Sequence, residues 1–75
     1  MQERINSFMK NEVLQFGKKL RDVRLKKKLS QGDVARILGV HRSYISGLER
    51  GRRNPSLITV HKVAKALGVS IKEIL

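Results

Sequence analysis

The chain contains no cysteine and no tryptophan, a single proline, and as aromatics only two phenylalanines and one tyrosine. Without thiols it has no disulfide, no thiolate metal site and no cysteine nucleophile, and a reducing compartment poses it no difficulty. So few aromatics, with Phe8 and Phe16 at apolar positions and only Tyr44 left over, give little of the stacking surface that holds RNA or single strands. No apolar run approaches the ~20 residues of a membrane-spanning helix, and the start lacks the continuous apolar stretch of a signal peptide. A soluble, unprocessed, cytoplasmic protein with no membrane partner is expected. Acidic residues are scarce too: six Asp and Glu face seventeen Lys and Arg, for a net charge of +11.

That charge favours a polyanionic partner, although it does not separate DNA, RNA and anionic membrane. Seventy-five residues make one small domain with one core. His41 and His61 fall on different helical segments, and no nucleophile–base pair, metal-ligand cluster or phosphate-binding glycine loop accompanies them. An enzyme is therefore not expected, and neither a metal, a cofactor nor a small-molecule effector is implied. Asp22, Asp33 and the glutamates are scattered and read as solvation and capping.

Val13, Phe16, Leu20 and Val23 recur at spacings of three and four, with Leu25 following, which predicts a helix over 11–28 ending in Lys26-Lys27-Lys28. Those lysines suit the partly negative helix terminus, with or without a ligand. Ser30 is an N-cap, Asp33 completes a capping box with it, and Leu29 can staple the entry; Gly32 weakens that first turn. Val34, Ile37 and Leu38 mark one apolar stripe, Gly39 supplies a positive-φ break, and Val40, Ile45 and Leu48 mark a second. A third helix is predicted from His41 or Arg42 to about Arg50, with Gly51 as its left-handed C′ residue. Arg52-Arg53-Asn54-Pro55 reads as loop. Ser56 caps a fourth helix carrying Leu57, Val60, Val63, Ala64 and Leu67, Gly68 ends it, and Ser70 caps a last turn or two. No strand-period segment or repeat stands out, so the expected fold is all-α, a compact five-helix bundle over 11–75. In residues 1–10, Ile5, Phe8 and Met9 either extend the first helix, form a separate turn or stay frayed.

Residues 31–50 thus write two short amphipathic helices around a glycine, a helix-turn-helix. Small Ala35 lets the helix backbones approach, so that the outer face of the second helix projects into a DNA major groove.

Phe16-Gly-Lys-Lys-Leu-Arg21, Leu29-Ser-Gln31, Val34-Ala35, Leu38-Gly-Val40, Tyr44-Ile-Ser46, Leu48-Glu-Arg-Gly51, Asn54-Pro55 and Ala64-Lys-Ala-Leu-Gly-Val69 follow one another in order. From Phe16 to Leu75 the chain resembles the phage-repressor (Xre/Cro) family, whose fold is the lambda-repressor-like domain. Within it, His41-Arg-Ser-Tyr-Ile-Ser-Gly-Leu-Glu-Arg50 is most similar to the controller proteins of restriction–modification systems. The resemblance implies a transcriptional regulator that binds double-stranded DNA as a homodimer on a palindromic operator, associated with the nucleoid. The other function class is a partner-binding protein, an antitoxin or coactivator that uses the domain mainly as a protein interface.

By the same resemblance, Ser30 and Gln31 meet phosphates, a role that suits a helix N-terminus; simple capping and solvation are the plainer readings. Arg42 and Ser43 match base-reading positions, with Ser46 and Gly47 following on that face. Arg42 can donate twice to guanine O6 and N7, or instead hold a phosphate. Gly47 stands where a long polar residue is common, so a reading side chain is missing there. Tyr44 fits two readings: stacking on a thymine methyl, or packing on the scaffold with its hydroxyl near phosphate. Arg50, Arg52, Arg53 and Asn54 form the loop that the family lays along the DNA backbone. Glu49, ill placed to face DNA, matches the family's partner of a first-helix arginine, here Arg24, in a buried ion pair. The expected dimer surface is Leu57, Ile58, Val69, Ile71, Ile74 and Leu75, with Ile5 and Phe8 as additions; a core role competes for each.

Overall fold

The computed structural model describes residues 10–75, which form four α-helices: α1 (Lys10–Lys26), α2 (Gln31–Leu38), α3 (Arg42–Glu49) and α4 (Leu57–Leu67). No β-strand occurs among the described residues. The expected fifth helix is corrected to a single 3₁₀ turn, Ile71–Glu73. Its bonds run three residues back, Glu73 N–H to Ser70 O at 3.1 Å and Ile74 N–H to Ile71 O at 3.2 Å, the tighter geometry that very short helical pieces adopt. The expectations for Ile5, Phe8 and Met9 lie outside the described residues.

Local chemistry sets the helix ends. Ser30 Oγ accepts from Asp33 N–H at 2.9 Å, and Asp33 Oδ2 accepts from Ser30 N–H at 2.8 Å, so two of the orphan donors at the start of α2 are satisfied reciprocally. Gly39 has φ 72°, which lets Val40 N–H reach back to Ala35 O at 2.9 Å and close the helix. The end of α1 uses the same closure, Leu29 N–H to Arg24 O at 3.0 Å, with Lys28 in the left-handed position at φ 59°. Ser56 Oγ accepts from Thr59 N–H at 3.1 Å and starts α4.

The core gathers Phe16 and Leu20 of α1, Val34 and Ala35 of α2, and Ile45 and Leu48 of α3 over Val60, Val63, Ala64 and Leu67 of α4. Ile74 closes it from below with no exposed surface. This corrects its place in the expected dimer surface: the 3₁₀ turn carries Ile74 into the fold, so it has nothing to offer a partner. Three residues assigned to apolar stripes are exposed instead, Leu25 (51%), Ile37 (58%) and Val40 (37%). On α1 the buried face runs Val13, Phe16, Gly17, Leu20 and Arg24, so the arginine, not Leu25, takes the next slot. On α2 Val34 and Ala35 point inward with Leu38 beside them, and Val40 lies beyond the left-handed glycine in the turn.

α3 packs against both α2 and α1, and α4 supports α2 and receives the 3₁₀ turn. The contact between α1 and α3 depends on Gly17. A Cβ there would stand 2.4 Å from Leu48 O and 2.7 Å from Glu49 O, so only glycine lets the two backbones come this close. This seats the C-terminal end of α3, and with it the orientation of the whole helix.

Candidate nucleic-acid interface

α3 is pinned inward by Ile45 and Leu48, both fully buried, while Arg42 and Ser43 at its start are exposed. Ser46 and Gly47 are half-buried. His41 caps the helix, its Nδ1 accepting from Ser43 N–H at 3.1 Å. Since Nδ1 accepts, the 2.8 Å contact between it and Ser43 Oγ has the hydroxyl as donor.

Behind this face lies an ion pair. Arg24 Nε donates to Glu49 Oε2 at 2.6 Å and Nη2 to Glu49 Oε1 at 2.9 Å, with the two side chains 9% and 3% exposed. Arg24 Nη1 also caps the chain at Leu29 O, 2.9 Å away. The hydrogen bond to Glu49 holds the guanidinium above its ordinary pKa, against the opposing effect of burial. One arginine thereby ties the end of α1, the connection after it and the end of α3.

The same carboxylate reaches the exposed face. Glu49 Oε1 accepts from Gln31 Nε2 at 3.0 Å, and Gln31 Oε1 accepts from Arg42 Nη1 at 3.1 Å. Gln31, whose side chain the family resemblance points toward a phosphate, thus uses both ends of its amide within the chain. Its backbone N–H, in the first turn of α2, has no partner along the helix and remains suited to an anion.

Arg50, Arg52, Arg53 and Asn54 follow α3 as an exposed run turning at Gly51, whose φ is 73°. The position at Gly47 is not vacant. A Cβ there would meet Arg53 Cγ at 2.7 Å, so the aliphatic stem of Arg53 lies across α3 at the missing side chain. Its guanidinium carbon continues to 5.4 Å from the Tyr44 ring centroid, a cation–π arrangement. Tyr44 is half-buried and packs against the core. Leu57 (41%), Ile58 (64%) and Leu75 (46%) are exposed, whereas Val69 and Ile71 are half-buried against the core. Lys26, Lys27 and Lys28 are exposed.

Sequence reasoning missed Gly17, the Gln31 relay and the draped Arg53. Only the first left a trace, as a glycine inside a strongly periodic helix.

Among the described residues no cluster of His, Asp and Glu side chains is placed to hold a metal ion, and no helix is long and apolar enough to cross a membrane. A helix-turn-helix family model matches residues 20–74. The control protein C.BamHI of Bacillus amyloliquefaciens is 48% identical over 69 residues, covering 89% of this chain and 85% of that protein. The crystal structure of the restriction–modification controller protein C.AhdI from Aeromonas hydrophila superposes with a TM-score of 0.81 at 42% identity, covering 87% of this chain and 98% of that one. The biofilm regulator SinR, solved in complex with DNA, has a TM-score of 0.69 at 34% identity, over 76% of this chain and 92% of its own. With the matched segment spanning all of α2, α3 and α4, the chain belongs to the helix-turn-helix family of DNA-binding transcriptional regulators.

Proposed function

We propose that the protein binds a palindromic operator in double-stranded DNA as a homodimer and controls restriction–modification genes, in the manner its likeness to the controller proteins suggests. The observation that carries this reading is the two-sided character of α3: Ile45 and Leu48 anchor it while Arg42 and Ser43 stand in solvent at its start. Arg42 reads guanine by paired donation, worth about 1–3 kcal/mol of discrimination, and Ser43, Ser46 and Tyr44 complete the base-facing surface. Ser30 and the backbone N–H of Gln31 at the start of α2, with Arg50, Arg52, Arg53 and Asn54 after α3, follow the phosphates. Their cations release counterions and make binding steeply salt-dependent.

A single copy reads one half-site, and two recognition helices about 34 Å apart match successive major-groove faces. Leu57, Ile58 and Leu75, with the half-buried Val69 and Ile71, supply the apolar surface for pairing. The protein acts in the cytoplasm, on the nucleoid, as a regulator and not an enzyme, without metal, cofactor or small-molecule effector. Residues 11–75 form its DNA-binding domain.

Selection of bound duplexes from a random pool identifies the operator. Arg42→Ala should then lose preference for it while retaining much of the salt-dependent affinity for random duplex. Equal affinity of the unmutated protein for operator and random duplex overturns the reading. Sedimentation that shows only monomer at high micromolar concentration removes the dimer.

A further inference from the structure

Ser43 is the second residue of α3, and its hydroxyl is engaged by the residue that caps the helix. His41 Nδ1 lies 3.1 Å from the Ser43 backbone nitrogen and 2.8 Å from Ser43 Oγ. A backbone N–H can only donate, so Nδ1 carries no proton and the hydrogen of the neutral ring is on Nε2. The second contact then has one possible sense. Ser43 Oγ–H donates, and the two donors share the Nδ1 lone pair.

We infer that His41 is a positioning residue that makes Ser43 a one-way reader, able to accept a hydrogen bond from a base and unable to donate one. This rests on the reading of Ser43 as a base-facing residue, to which the cap adds a hydrogen-bonding sense. A free serine hydroxyl meets donors and acceptors alike, so by itself it discriminates poorly. With its only proton committed to His41, Ser43 Oγ has lone pairs alone to offer. In the major groove the donating groups are the exocyclic amines, N6 of adenine and N4 of cytosine, whereas guanine O6 and N7 and thymine O4 only accept. Ser43 therefore selects an amine at the place it reaches. An acceptor there would face the oxygen's lone pairs and leave both groups desolvated without a partner.

The test uses the full chain with Ser43→Ala, His41→Ala and His41→Asn, titrated in mildly alkaline buffer, where an imidazole is neutral. Single base-pair changes in the duplex recovered from the random pool locate the pair at which Ser43→Ala abolishes discrimination. At that pair, one set of duplexes replaces the amine of adenine or cytosine with hydrogen, and another removes an acceptor (N7, O6 or O4). Loss of the amine should weaken the unmutated protein about three- to tenfold more than it weakens Ser43→Ala, and loss of an acceptor should weaken the two alike. His41→Ala should erase the amine effect. His41→Asn should restore it, because an amide oxygen caps well and has two lone pairs for the same two donors. A Ser43-dependent loss on removing an acceptor overturns the proposal, because the hydroxyl would then donate. So does an amine effect that survives in His41→Ala or stays absent in His41→Asn, since His41 would then serve only as a cap. A second measurement needs no DNA. Long-range ¹H–¹⁵N correlation spectra should show His41 bare at Nδ1 and protonated at Nε2; the opposite tautomer also overturns the proposal, because the hydroxyl would keep its proton. Should Ser43→Ala leave discrimination at every base pair intact, the underlying reading fails and takes this inference with it. That failure is seen in the Ser43 variant and is distinct from one confined to His41.

Discussion

Replacing Gly17 with alanine pits helix propensity against packing. Alanine is favoured over glycine within a helix by about 1 kcal/mol, so propensity alone makes Gly17→Ala stabilising. The added Cβ, however, would stand 2.4 Å from Leu48 O and 2.7 Å from Glu49 O. Those positions are about 0.6–0.9 Å inside the ~3.3 Å at which carbon and carbonyl oxygen ordinarily meet. Both obstacles are backbone, so relief requires the end of α3 to move, and with it the Glu49 carboxylate. Overpacking of this kind costs about 1–3 kcal/mol, and two rigid contacts put it at the upper end. The net expectation is a loss of about 2 kcal/mol, a fall in Tm of about 8–16 °C for a domain this small. Thermal and urea unfolding followed by far-UV circular dichroism measure it. Gly32→Ala is the control, since a Cβ there meets only Ser30 Oγ at 3.6 Å and Arg42 Cδ at 4.0 Å, ordinary contact distances. It should raise Tm by about 4–8 °C. A Gly17→Ala protein as stable as the unmutated one would refute the packing argument.

Removing either partner of the Arg24–Glu49 pair, by Arg24→Met or Glu49→Met, should destabilise by about 3–5 kcal/mol, because the other is left buried without its counterpart. The double variant Arg24→Met with Glu49→Met should be milder than either, and single variants that melt like the unmutated protein would sink the pairing. Asp33 is held below the ordinary carboxylate range, first by the backbone N–H of Ser30 and then by its hydroxyl. A folded pKa below the unfolded one means stability present above the unfolded pKa and lost as pH falls through the folded one. Acid unfolding between about pH 5 and pH 2 should therefore be shallower for Asp33→Asn than for the parent, and coincident acid limbs would contradict it. Lys28, at φ 59°, pays for a conformation that glycine adopts freely, so Lys28→Gly should raise Tm by a few degrees; a lower Tm would show that the lysine's charge at the helix end matters more.

Much of the fold was legible because its signals are local. Ser30 with Asp33, the left-handed Gly39 and Gly51, and the periodic apolar residues of α1 and α4 depend on neighbours within one or two turns. What eluded the sequence depends on which element lies opposite. Ile37 carries the right side chain at a plausible spacing but nothing covers it, whereas Gly17, with no side chain, is buried at the tightest backbone contact. Residues 70–75 are apolar enough for a helix and too few to sustain one, so they close in a 3₁₀ turn that carries Ile74 inward. At the candidate site, Arg42 and the paired Arg24 and Glu49 were visible through family resemblance. The roles of Gln31 and Arg53 were not, since each arises from a side chain reaching another segment of the folded chain.

The stem of Arg53 lying over Gly47 means that the surface proposed to meet a duplex is stitched from two stretches of chain. Grafting residues 42–49 onto a relative would carry away only part of it, and a bulkier residue at 47 would evict the arginine from its seat. Reprogramming target choice in this scaffold therefore calls for exchanging helix and following loop as one cassette.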